Sequence, residues 1–253
     1  MHHAFIDKFS HLDSPIHRLD PRAKILSFLF FVLIVVLSAN GDYTAFGLFF
    51  LLVFSVILLS RVPLVYVFKH SLVVIPFVGF VGLSLLFKEG GAIAFSVPGF
   101  GFPVSSEGLR IFFSVLAKSW LSVLAMLTLV STTRFPALLK GLEWFRVPAL
   151  VLMVISFMYR YFFLINDEMM RMQAARDSRG APSKLVENIS SAGSMIGSLF
   201  VRSYERAESA FLAMCARGFD GEMKALCVFN PGVWDFVFII LFCSCALVIK
   251  LFG

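Results

Sequence analysis

The sequence predicts an all-α integral membrane protein of about five transmembrane helices, with a cytosolic or interfacial module of long helices before the last span. Three observations predict it. Of 253 residues, 59% are hydrophobic and 15% charged, with 31 Phe and a mean hydropathy of +0.88; soluble domains are nearer half apolar and a quarter charged. Five apolar stretches, near 25–39, 43–60, 66–87, 110–133 and 232–252, approach or reach the ~20 residues of helix that cross a bilayer. The basic residues also fall on one side. The loop at Gly41-Asp42 has no Lys or Arg and the Gly/Pro-rich loop 88–109 only Lys88, whereas Arg61, Lys69, Arg134, Lys140 and Arg146 lie in the alternate connections. By the positive-inside rule the N-terminus is cytoplasmic and the C-terminus outside. The net charge of +6 follows from the same bias and does not call for nucleic acid.

The first 24 residues are polar, carrying His2, His3, His11, His17, Arg18, Arg22 and Lys24, with no apolar core of a cleavable signal peptide. His3 near the amino terminus could chelate Cu or Ni, but solvated histidines at a frayed end are the plainer expectation. Asp20-Pro21 opens the first span as an N-cap followed by a first-turn proline. That span is short, so it is expected to extend to about residue 22 and let Arg22 and Lys24 snorkel toward the headgroups. Pro76 and Gly79 could kink the third span. Cys215, Cys227, Cys243 and Cys245 form no CxxC pair and two lie in an apolar span, so neither disulfides nor zinc are expected.

A sixth apolar stretch, Val147 to Ile165, is long enough to cross. Crossing would place Arg171, Arg176, Arg179, Lys184, Arg202, Arg206, Arg217 and Lys224 outside, against the positive-inside rule, and Arg160 in its middle would be costly in lipid. It is therefore expected to be the apolar first half of a long helix at the inner face. The organisation becomes an N-terminal region with four spans (1–133), a helical module (134–224) and a C-terminal span (225–253).

Within the module one helix is predicted from Pro148 to Arg179, stopped by Gly180-Ala181-Pro182, and another from Ser183 to Arg217. Phe162, Ile165, Met169 and Met172 recur at helical spacing on the first, with Asp167 four residues before Arg171. Phe200, Tyr204, Ala207, Phe211 and Met214 do so on the second, opposite Arg202, Glu205 and Arg206. Gly193 and Gly197 suit either close helix approach or a bend. The methionines Met153, Met158, Met169, Met170, Met172, Met195 and Met214 suit a surface that repacks, or plain core filling. Both helices end alike, in Ser178-Arg179-Gly180 and Ala216-Arg217-Gly218. One basic residue before a terminating glycine merely complements the helix dipole. Two, on consecutive long helices, point to docking, because the guanidinium fork suits carboxylates on a partner.

These residues resemble the transmembrane T component of energy-coupling-factor (ECF) transporters, of the CbiQ type. The likeness covers most of the chain. Ser14-Pro15-Ile16-His17-Arg18-Leu19-Asp20-Pro21-Arg22-Ala23-Lys24 is similar to the family's entry to its first span. Thr132-Thr133 with Leu138-Leu139 and Val147-Pro148 resembles the connection after the fourth. Most specific is Met158-Tyr159-Arg160-Tyr161 continuing through Asp167-Glu168, Arg171-Met172 and Ala175-Arg176 to Arg179-Gly180. Tyr204-Glu205-Arg206-Ala207-Glu208, Ala213-Met214 and Ala216-Arg217-Gly218-Phe219-Asp220-Gly221 resemble the second motif.

The resemblance implies a coupling subunit of the bacterial inner membrane that joins two cytosolic ABC ATPases to a substrate-binding membrane subunit. It implies that Ser178, Arg179, Gly180, Ala216, Arg217 and Gly218 dock the ATPases, with Ser178 standing where Ala is more usual. It further implies cobalt as cargo, with nickel next, bound by a CbiM-like partner with or without a small CbiN-like subunit. No cofactor, metal ligand or catalytic residue is assigned to this chain, which has no GxxxxGK[ST], HExxH or GxSxG. A T component shared by vitamin-specific subunits is the nearest alternative. An embedded enzyme would need clustered ionisable groups, and Lys69-His70, Lys118 and Arg160 are expected to lack acidic partners within the spans; Lys69 and Lys118 would instead snorkel or line a partner contact. A stand-alone transporter would show an inverted repeat, and none is evident.

Overall fold

The protein is described by a computed structural model covering residues 14–86, 93–96, 103–180, 185–221 and 232–252. His2, His3, His11, Lys88, Ala181, Pro182, Lys184, Lys224 and Cys227 lie outside them. Two compact units emerge: Leu142–Leu226, and a bundle formed by the residues up to Gly141 with the C-terminal helix.

In the bundle, helix α1 (Pro21–Val36) starts as expected. Asp20 Oδ1 accepts the Arg22 N–H at 2.9 Å, a cap that contributes about 1 kcal/mol. Phe28, Phe31 and Val35 have no exposed surface, so α1 is the spine. Phe28 and Phe31 meet Phe242 of α9 (Val233–Phe252) with ring centroids 5.5 and 5.6 Å apart, and Phe31 meets Phe49 of α2 (Tyr43–Ser60) edge-on at 5.7 Å. Lipid tails are as apolar as these rings, so interdigitation holds the helices together where water exclusion would act in a soluble core. Helix α5 (Ser106–Thr132) closes the bundle through Leu121, Leu124 and Ala125; its Trp120 stacks on Phe50 and donates to Ser71 Oγ at 3.1 Å.

The third span is two helices, α3 (Leu64–Leu72) and α4 (Val74–Leu86), broken at Val73. Pro76 has no N–H to bond the Leu72 carbonyl, and its ring crowds that oxygen, so the break falls one turn upstream of the proline. Between α4 and α5 the strands β1 (Ile93–Ser96) and β2 (Pro103–Ser105) form an antiparallel hairpin within the region expected only as a Gly/Pro-rich loop. A further helix, α6 (Phe135–Trp144), follows α5. Its Gly141 is buried against α1, where a Cβ would come 2.6 Å from Ile25 Cδ1.

Lys24 does not snorkel. It is 1% exposed, and its ammonium donates to the carbonyls of Thr132 (3.0 Å) and His17 (3.3 Å). The last carbonyls of α5 have no partner within their own helix, and they offer acceptors closer than any headgroup. Asp235, inside the fifth span, accepts the Asp20 N–H (2.8 Å) and the Gly232 N–H (2.7 Å). The start of α1, the end of α5 and the start of α9 are thereby tied together at one end of the bundle. Lys118 does the complementary task further along, donating to the carbonyls of Val36 (3.3 Å) and Ser38 (2.7 Å) and to Asn40 Oδ1 (2.8 Å). Its contact is within the chain, while Lys69 is exposed.

The other unit holds α7 (Ala149–Ser178) and α8 (Leu185–Ala216). Among the described residues five helical segments are long and apolar enough to cross a membrane, α3 running on into α4 as one of them: Tyr43–Ser60, Leu64–Gly82, Glu107–Thr132, Ala149–Ser178 and Val233–Phe252. Length alone thus passes over the 16 residues of α1, about 24 Å of helix, and admits α7.

Candidate functional site

The site is built on the two long helices. α7 begins after a corner at Arg146, whose φ of 60° is left-handed, and Pro148 occupies its N-cap. It then runs unbroken for 30 residues without burying one of them. α8 runs for 32, so Gly193 and Gly197 do not bend it. A Cβ at either would meet nothing within 4 Å, so neither glycine lies in a close helix contact.

The helices pack antiparallel. Glu168 of α7 bonds Arg202 of α8, and Arg171 lies 3.7 Å from Glu168. Met169, Met172 and Arg176 face Ala192, Met195 and Leu199 across a void of about 160 Å³. Nearer the start of α7, a cleft of about 520 Å³ is lined by Ile165, Glu168, Leu199, Arg202 and Arg206. The expected stripe of α7 therefore meets α8 through Ile165, Met169 and Met172, while Phe162 is exposed. On α8 the polar face opposite the stripe meets α7. Arg202 and Arg206 line the seam, and the aromatic stripe is bare: Phe200 is 71% exposed, Tyr204 65% and Phe211 54%.

Each helix ends in a left-handed glycine. At α8, Gly218 has φ +78°; its N–H donates to the Cys215 carbonyl (3.0 Å), and the Phe219 N–H reaches back to Met214 (3.1 Å). That pair of bonds is the Schellman stop. At α7, Gly180 has φ +87° and its N–H donates to the Asp177 carbonyl at 3.2 Å. Ser178 hides its hydroxyl by donating to the Ala174 carbonyl at 2.9 Å, so it leaves the helix end as an alanine would. Arg176 is occupied with Asp177 at 3.1 Å. Arg179 and Arg217 are exposed, and neither guanidinium bonds an acceptor among the described residues.

All six predicted residues thus lie at helix ends, but the two triplets are not brought together. Because α7 and α8 are antiparallel, the length of α8 separates Arg179 from Arg217, on the order of 40–50 Å at 1.5 Å per residue. The Glu168–Arg202 clip was not foreseen. Its members are 34 positions apart, and no local pattern links them. Among the described residues no three His, Cys, Asp or Glu side chains gather where they could hold a metal ion.

Comparison with known proteins agrees in kind. The CbiQ family, described as cobalt transport protein, matches residues 13–226. An uncharacterized protein of Methanocaldococcus jannaschii is 26% identical over 93% of this chain and 82% of its own. The energy-coupling factor transporter transmembrane protein EcfT of Bacillus subtilis is 31% identical over 85% of this chain and 84% of its own. The EcfT of Streptococcus equi is 29% identical over 83% and 81%.

Proposed function

Because the chain belongs to the CbiQ family of cobalt transport proteins and is a T component of an ECF transporter, we propose that it couples two cytosolic ATPases to a membrane subunit carrying Co²⁺ or Ni²⁺. One observation carries this: two exposed arginines without acceptors among the described residues, each on a glycine-terminated helix, stand at opposite ends of one antiparallel pair. A single small partner could not reach both. Two ATPases, one per arginine, could. Each contact of this kind, a guanidinium on carboxylates in a groove, typically holds about 2–5 kcal/mol of binding.

Topology supports the same assignment. Thr132 at the end of α5 and Asp235 at the start of α9 are tied to the same stretch of α1. The chain between them must leave and re-enter on one side of the membrane, so it contains an even number of crossings. α8 does not qualify as a span, which leaves α7 no partner to return with among the described residues. We therefore place α7 and α8 together on the cytoplasmic side, where the positive-inside rule sends their basic residues. ATPase closure would draw the two arginines and slide α7 along α8. The methionine-lined void and the clip at Glu168 suit such sliding, because thioethers repack at little cost. The chain itself is the non-catalytic part of the machine.

The test is co-purification from mild detergent. Wild type should retain two ATPase copies, Arg179→Ala or Arg217→Ala about one, and the double variant none, with unchanged thermal melting of the membrane bundle. Full ATPase retention by the double variant would refute the docking assignment. The membrane subunit that co-purifies, and uptake of Co²⁺ against Ni²⁺ and vitamins, fixes the cargo.

A further inference from the structure

We infer that the bundle carries a specific site for one anionic phospholipid, in the groove between the Ser14–Leu19 turn, the end of α2 and the start of α9. The groove encloses about 840 Å³. Its floor is apolar, made by Leu59, Phe238 and Leu241, and its lining includes two arginines, Arg18 and Arg61. Trp234, 79% exposed, also lines it. Apolar floor, cationic edge and an indole at the helix start match an acyl chain, a phosphate and the interfacial depth at which Trp settles.

Charge decides the occupant. Arg18 and Arg61 are exposed and have no acceptor among the described residues. The carboxylate in the lining, Asp235, has one oxygen on the Asp20 N–H and the other on the Gly232 N–H, and the Lys24 ammonium acts on it electrostatically. The two guanidiniums are therefore left as an uncompensated pair, and a phosphate accepts from such forks in planar, two-bond fashion. Arg61 caps α2 at φ 56°. A zwitterionic lipid would bring its own cation to these arginines and is disfavoured. A free phosphate would leave the apolar floor empty.

The experiment titrates delipidated full-length protein in neutral micelles with short-chain phosphatidylglycerol, phosphatidylcholine or glycerol phosphate, reading bound lipid by native mass spectrometry. Phosphatidylglycerol should bind one per chain, resist displacement by phosphatidylcholine and weaken with salt, while glycerol phosphate should not compete. Arg18→Gln/Arg61→Gln should bind roughly 20-fold more weakly, at about fivefold per arginine. Arg134→Gln, an exposed arginine outside the groove, should bind as wild type. Equal binding of the two lipids, competition by glycerol phosphate, or full affinity in the double variant would each overturn the assignment. So would a protein segment cross-linked at Trp234 in place of lipid. If the double variant does not fold, the phosphatidylglycerol preference of wild type and its salt dependence still decide.

Discussion

The bundle and the α7–α8 pair are both helical, yet the longer helices of the pair, 30 and 32 residues, enclose far fewer apolar side chains. In the bundle Phe28, Phe31 and Phe49 are wholly enclosed, and the buried Lys24 finds a partner across the fold on Thr132. α7 encloses nothing along 30 residues, and α8 leaves Phe200 and Tyr204 bare. The difference teaches that the bundle holds a core of its own, although Val65, Phe77 and Phe80 also face outward, whereas α7 buries no residue. Stability should therefore reside in the first and assembly in the second.

The sharpest way to break that comparison is at Asp235. Asp235→Ala leaves the Asp20 and Gly232 N–H groups without acceptors beside a buried ammonium, and should cost about 3 kcal/mol of stability. Unfolding in detergent should report it, while ATPase binding per folded molecule stays at the wild-type value. Gly141→Leu comes next. Overfilling the contact with Ile25 should cost about 2 kcal/mol, again seen in melting and not in docking. The module should behave the other way round. Gly218→Ala forces a left-handed turn on a residue with a Cβ, at about 1 kcal/mol. The end of α8 should fray, and ATPase affinity should fall about fivefold with the melting temperature unmoved. Smallest is Glu168→Ala, which removes an exposed clip worth below about 1 kcal/mol. It should leave both melting and docking near wild type and show only as faster hydrogen exchange along α8. A large melting shift from either module variant would erase the distinction between the units.

What the sequence revealed in advance was whatever a few neighbouring residues decide. Asp20-Pro21 starts α1, and Gly180 and Gly218 stop α7 and α8 in left-handed turns, because capping is chemistry within one turn. The kink from Pro76 was legible, though its position one turn upstream follows from which carbonyl the ring displaces. Contacts between distant positions were not legible. Lys24 was expected in the headgroups because its side chain is long enough to reach them; nothing nearby in sequence announces the orphan carbonyl of Thr132. Asp235 likewise carries no local signal of its role, because its donor Asp20 lies 215 positions away. Which face of α8 meets α7 was not legible for a different reason. In a soluble helix the apolar stripe turns inward, whereas here lipid or another subunit can cover it, and the seam with α7 is made instead by Leu199, Arg202 and Arg206.

The bare stripe of α8 also has a bearing on how the protein is made. Phe200, Tyr204 and Phe211 form an exposed apolar band, which is an aggregation liability on an unpartnered surface. A copy synthesised in excess of its ATPases and membrane partner would present that band to proteases and chaperones. Its lifetime should shorten when the partners are withheld and recover when they are supplied. The stripe would thus serve as a tally of assembly, keeping the amount of this subunit matched to the amount of transporter that it can complete.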